Sequence, residues 1–176
     1  MKSILRTAAA GVALASFGIA STASAQTSAS ASAEAEILAA LTINLAAGDN
    51  VLDFGTVAIG NIGAPANLVL APNDSLTGCS AQVICGGTPA APTFEIDGQP
   101  DDVVDISVPA TVTLNSGSNT MQVSSFTLAG TTLVGNQITL DNTGQRSFSL
   151  GGTLTIAPNQ AQGLYTGNVT VSVAYN

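Results

Sequence analysis

From Val51 to the C-terminus, short runs rich in Val, Ile, Thr, Leu and Phe alternate with clusters of Gly, Asn, Pro and Asp, and this punctuation leaves little room for helices. Tight turns are expected at Gly60-Asn61, Pro72-Asn73-Asp74, Gly86-Gly87, Asp97-Gly98, Asn115-Ser116-Gly117, Gly135-Asn136, Asp141-Asn142-Thr143-Gly144 and Pro158-Asn159, because these residues supply the turn conformations and terminate strands. About eight to ten strands fit between them, the pattern of an antiparallel β-sandwich rather than a barrel.

Within the runs, apolar residues recur with a period of two. Val108, Ala110, Val112 and Leu114 share one face, with Ser107, Thr111 and Thr113 on the other. Phe148 and Leu150 share a parity with Leu154 and Ile156 across Gly151-Gly152, and the double Gly predicts a bulge or bend. Such alternation describes strands with one buried and one wet face.

The longest such run is the last. Gly163, Tyr165, Gly167, Val169, Val171, Val173 and Tyr175 fall on one face and Leu164, Thr166, Asn168, Thr170, Ser172 and Ala174 on the other, with no Pro or charge between them. Burying each Val is worth roughly 1.5 to 3 kcal/mol, so this strand is expected in the core. The sequence ends immediately afterwards at Asn176, and none of the usual edge-blunting devices (Lys, Pro, a bulge) is evident. Two readings follow. Either the edge accepts an extended segment of a partner, or the strand lies centrally in its own sheet.

The N-terminus speaks to the compartment. Lys2 and Arg6 precede an apolar stretch from Thr7 to Ile19 that closes on Ala23-Ser24-Ala25, the pattern of a secretory signal peptide over residues 1–25. That stretch is shorter than the roughly 18 or more apolar residues of a spanning helix. The mature chain, Gln26 to Asn176, has the size of one domain. All 11 acidic residues follow the cleavage site, whereas of the three basic residues only Arg146 does; a chain so acidic lacks the basic face that nucleic acid or anionic lipid requires.

In an exported protein the only two cysteines, Cys79 and Cys85, are expected to form a disulfide. Chain entropy assigns so short a loop roughly 2.4 kcal/mol. A zinc site is disfavoured because the sequence has no His. The absence of His and Trp, and of Lys after residue 25, removes a member from Ser-His-Asp, Cys-His and Schiff-base mechanisms, so no catalytic or cofactor-binding residue is assigned and a non-enzymatic protein is expected. Asp141-Asn142-Thr143-Gly144 reads as a hairpin turn. The densest acidic cluster, Asp97, Asp101, Asp102 and Asp105 with Glu95 beside it, is either a solvated loop or a Ca²⁺ site, though its spacing matches no established calcium loop.

Residues 26–36 form a different kind of segment. Ala29, Ala31, Ala33 and Ala35 alternate with Ser and Glu, and Ile37 continues the parity. Ala packs little surface in a strand. The stretch is therefore either a tether after the cleavage site or a strand that needs a waiting groove, and the sandwich proper is expected over residues 37–176.

A penultimate Tyr175, alternating valines and Gly163 near the start of the run resemble the C-terminal signature of chaperone-usher pilin subunits. The stretch Leu52-Asp53-Phe54-Gly55-Thr56-Val57 and the ending Gly163-Leu164-Tyr165-Thr166-Gly167-Asn168-Val169-Thr170-Val171 also resemble secreted spore-coat-U-type domains and the domain-of-unknown-function 4402 family. The pilin resemblance implies an immunoglobulin-like sandwich lacking one strand, completed first by a periplasmic chaperone, with export through an outer-membrane usher, and then by another subunit. On that reading Gly163, Tyr165, Val169, Val171, Val173 and Tyr175 form the strand-pairing edge, and Ala29, Ala31, Ala33, Ala35 and Ile37 the donor. The Asn176 carboxylate is the anchor for basic residues of the chaperone. The implied function is a structural subunit of a secreted or surface fibre or coat; the alternative is a free-standing secreted sandwich that binds Ca²⁺ or a carbohydrate.

Overall fold

The computed structural model describes residues 27–48 and 50–176. The expected signal peptide and Gln26 lie outside them. Residues 27–36 contain no strand and are exposed. A compact unit runs from Ile37 to Asn176 and contains twelve strands, all paired antiparallel.

In chain order these are β1 Thr42–Leu45, β2 Thr56–Ile59, β3 Ala66–Leu70, β4 Leu76–Thr77, β5 Val83–Gly86, β6 Thr93–Asp97, β7 Val103–Ser107, β8 Thr111–Ser116, β9 Asn119–Gly130, β10 Gln137–Thr139, β11 Gln145–Ile156 and β12 Ser172–Tyr175. Seven of them form one sheet around β11. One side of β11 pairs with β9, and β9 with β8; the other side pairs first with β6, which carries β1, and then with β3, which carries β4. A three-stranded sheet, β10-β7-β12, and a two-stranded one, β2-β5, complete the β-sandwich.

β11 is central because its sequence is buried along one parity: Phe148, Leu150, Leu154 and Ile156 are all inaccessible or nearly so. The double Gly behaves as its sequence predicts. The β9–β11 register shifts between Gly151 and Thr153, and opposite this point Ser125 adopts a positive φ of 49°. A Cβ on Gly152 would press into the ring of Phe126 at 3.1 Å, so the missing side chain lets that ring pack onto the bulge.

The core among the described residues contains no buried polar or charged side chain. It falls into two clusters. One gathers Phe54, Leu68, Leu70, Val83, Val123 and Ile156; the other gathers Phe94, Val104, Ile106, Ile138, Phe148 and Leu150, with the Phe94 and Phe148 rings stacked at 5.2 Å.

Two sequence expectations are corrected. The alternation from Ser107 to Leu114 is not one strand, since β7 and β8 are separate and Ala110 is exposed. Pro109 lies in the break, where it has no N–H for a ladder. The terminal run is likewise not one strand from Gly163 to Tyr175. Thr166 exchanges two backbone hydrogen bonds with Asn115 of β8, at 2.8 and 3.0 Å, and only Ser172–Tyr175 pairs with β7, from Ser172↔Ser107 to Tyr175↔Val104. The segment between lies opposite the Pro109 break and joins the edge of the large sheet to the small one.

The Asp53-Phe54-Gly55 stretch closes the other end of the core. The Asp53 carboxylate accepts from the Gly55 N–H at 2.7 Å, its backbone exchanges hydrogen bonds with Ala90, and Phe54 is thereby directed into the first cluster. Gly55 has φ +72°, and a Cβ there would collide with the Gly86 carbonyl oxygen, so only Gly fits.

The disulfide is present. Cys79 and Cys85, 5.8 Å apart at Cα, close a turn in which Ser80 and Val83 exchange backbone hydrogen bonds, which sets Val83 into the core and starts β5.

Candidate functional site: an open edge beside the last strand

The alternation of the terminal run survives even where its pairing does not. Val169, Val171, Val173 and Tyr175 are half-buried and pack against the second core cluster, while Asn168, Thr170, Ser172 and Ala174 are exposed. None of the valines is fully covered. β12 has one strand partner, β7, and β1 has one, β6; among the described residues the outer edge of each is free of a ladder. Residues 167–171 have no backbone hydrogen-bond partner among the described residues.

These two edges meet at one end. The Tyr175 hydroxyl donates to the Ala39 carbonyl at 2.8 Å and accepts from the Gln99 N–H at 2.6 Å, while the Gln99 side-chain oxygen accepts from the Ala39 N–H at 3.1 Å. Gly98 makes this possible, because a Cβ there would sit 2.7 Å from the tyrosine oxygen.

Away from this latch, a groove of about 270 Å³ lies between the end of β1 at Leu45 and residues 167–169, which precede β12, lined mainly by apolar side chains that include Leu45, Leu52, Phe94, Leu114, Val123 and Val169. Phe94 and Val123 are buried core residues, so the floor of the groove lies on the seam between the two clusters. Leu45 is 48% and Val51 59% exposed at its rim. Chemically this is a slot with unpaired main-chain groups along it and apolar depth beneath, suited to an extended polypeptide.

The start of the terminal run has a different role from that expected of an edge. The Tyr165 hydroxyl donates to the Ala161 carbonyl four residues upstream at 2.8 Å and accepts from the Gln160 amide at 2.7 Å, the arrangement of a tyrosine corner. Gly163 sits against Ser116, whose side chain occupies the space a Cβ would need. Both residues turn the chain onto β8. The residues assigned as donor, Ala29, Ala31, Ala33 and Ala35, lie in the strandless stretch, and Ile37 is 94% exposed.

The acidic residues are dispersed. Asp97 accepts from the Gln145 side chain at 2.7 Å, Asp105 from the Gln137 side chain at 2.9 Å, and Asp101 sits in a turn with φ 62°. No group of three or more His, Cys, Asp or Glu among the described residues is arranged to hold a metal ion, so Asp97, Asp101, Asp102 and Asp105 are not assembled as a calcium site.

A second, polar cleft of about 400 Å³ lies between Glu95, Asp97, Thr131, Asp141 and Arg146. There the Arg146 guanidinium pairs with Asp141 at 2.8 Å, and the Arg146 Nε has no partner. The other Asp141 oxygen accepts from the Thr143 hydroxyl at 2.6 Å, the Thr143 N–H at 2.8 Å and the Gln145 N–H at 3.0 Å. Chiefly the Thr143 hydroxyl, then these backbone donors and the Arg146 charge, lower the Asp141 pKa to about 2. The hairpin turn expected at Asp141–Gly144 is thus organised around its own carboxylate.

Among the described residues no helix is long and apolar enough to cross a membrane. No curated protein and no solved structure matches the sequence. A family model does, over residues 41–175, from just before β1 to the last residue of β12, and the chain therefore belongs to the family described as domain of unknown function DUF4402.

Proposed function

We propose that this protein is a structural subunit of a secreted or cell-surface assembly, a fibre or coat, in which the groove beside the last strand receives an extended segment of another polypeptide. One observation carries the reading: residues 167–171 have no backbone hydrogen-bond partner among the described residues, and Gly167, Asn168 and Val169 line, opposite Leu45 at the end of β1, a groove whose floor is core, Phe94 and Val123. An inserted strand would pair with the free main-chain groups of the 167–171 segment and cover Val169, completing the sandwich as strand addition does elsewhere.

The charged, apolar and small-residue pattern of residues 1–25 supports export, and the disulfide suits an oxidising compartment. The likeness of the terminal run to pilin subunits supports delivery by a periplasmic chaperone and an outer-membrane usher. Residues 26–36, strandless where described and exposed, serve as the segment this subunit offers to a neighbour. The role is structural rather than catalytic, consistent with the lack of His and Trp.

Surface fractions of producing cells, dissolved in detergent without heating, should show this chain in high-mass bands that collapse to one band on strong heating, and deletion of residues 26–36 should remove bands from the series. A chain that is monomeric in every fraction, and unaffected by the deletion, would sink the reading.

A further inference from the structure

We infer that the groove and the leader of this chain are not mates: the strand that fills the groove comes from a different polypeptide, bearing large aliphatic or aromatic side chains at alternate positions and no net negative charge. The inference rests on the strand-acceptor reading above and names the partner.

Size is the first argument. The groove offers about 270 Å³ between Leu45, Phe94, Leu114, Val123 and Val169. On their alternating apolar face, residues 27–36 present only the methyl groups of Ala29, Ala31, Ala33 and Ala35. Methyls would leave the floor largely uncovered, and an unfilled apolar space forfeits both transfer energy and contacts. The first large side chain on that parity is Ile37, 94% exposed, but the chain is tied to its own domain just beyond it. Ala39, two residues on, is held by its N–H to Gln99 and by its carbonyl to Tyr175 of the same domain. Two extended residues span only about 7 Å, so Ile37 stays close to its own latch and the rest of the leader has only methyl groups to offer a neighbour's groove.

Charge is the second. The leader carries Glu34 and Glu36 and no basic residue, and the compact unit from Ile37 to Asn176 has Arg146 as its single basic residue among many carboxylates. Seating one copy's leader on another brings like charges together, whereas a neutral or basic strand is attracted. Assembly is therefore heterotypic at this groove, with the Ala/Ser leader directed to a shallower site on another subunit.

The test titrates the protein, expressed from its full-length sequence, with two synthetic peptides. One has the sequence of residues 26–38; the other carries Ala29→Val, Ala31→Leu, Ala33→Ile, Ala35→Val, Glu34→Gln and Glu36→Lys. Calorimetry gives the affinity, and amide shifts at Leu114, Val123 and Val169 locate the site. The expected result is binding of the second peptide about tenfold tighter or more, with shifts at those residues. Equal or tighter binding of the unmodified leader at the same residues would overturn the heterotypic assignment and leave the strand-acceptor reading standing. Failure of both peptides to move those resonances would overturn the acceptor reading, and this inference with it.

Discussion

The hydroxyl of Tyr175 donates to the carbonyl of Ala39 at 2.8 Å across 136 residues of sequence, fastening the last strand of the small sheet to the segment that leads into the first strand of the large one. Through its second bond, from the Gln99 N–H, the same oxygen also holds the β6–β7 turn. Replacing Tyr175 by Phe keeps the ring but removes the latch. The expected loss is about 1 kcal/mol, the net worth of such hydrogen bonds, read as a lower urea midpoint at unchanged slope.

Gly55 tests the other end of the molecule. Its φ of +72° and its approach to the Gly86 carbonyl oxygen leave no room for a methyl group. Gly55→Ala should cost about 2 kcal/mol or more, since the left-handed conformation alone costs an L-residue roughly 1 to 2 kcal/mol and the collision adds to it. The loss should appear as a lower thermal midpoint. Gly117, also at positive φ but with nothing within 4 Å of a Cβ, should respond less to the same change.

Reduction of the disulfide, or Cys79→Ser with Cys85→Ser, should destabilise the protein by about 2 kcal/mol. The loop closed is short, with a sequence separation of 6, but it positions Val83, which is buried in the first core cluster. Equilibrium unfolding with and without reductant measures the difference.

Asp141 makes stability depend on acid. Its pKa is lowered from 3.8 to about 2 in the folded protein, so the folded state holds its proton less tightly than the unfolded chain. Its contribution is complete above about pH 4 and is lost as the pH falls through about 2. Asp141→Asn should flatten the loss of stability between pH 4 and pH 2. Denaturant curves at several pH values, with a carboxyl titration of Asp141 by NMR, check both the slope and its source.

What the sequence makes legible follows from the range of each interaction. The period of two in Phe148, Leu150, Leu154 and Ile156, and in Val169, Val171, Val173 and Tyr175, is a local pattern that reports a buried face, and both faces are where the alternation places them. The bulge at Gly151-Gly152 is equally local. Pairing is not local. Alternation says nothing of which neighbour a strand takes, so the split of the terminal run between β8 and β7 is invisible until the Pro109 break is placed opposite it. The two tyrosines show the same limit: both occupy the expected face, yet Tyr165 forms a corner with Ala161 and Tyr175 a latch with Ala39, roles set by which backbone groups the fold brings near. The Asp97–Asp105 cluster is dense in sequence and dispersed in space because turn and ladder geometry direct those residues to separate partners.

Hydrogen exchange gives the most direct view of the groove. Amides of Val169, Thr170 and Val171 find no backbone partner among the described residues, although the valines pack on the core, whereas Val104 and Ile106 lie in a strand paired on both sides. In the isolated protein the first group should exchange near the rate of an unprotected chain and the second only through larger openings. A strand that seats in the groove forms a ladder along this edge, so amides of residues 167–171 that face it should become protected while those of β7 change little. The contrast separates strand addition from binding at the Arg146 cleft, where a ligand would leave the 167–171 amides fast; slow exchange of these amides before any partner is added would show that the edge is already occupied.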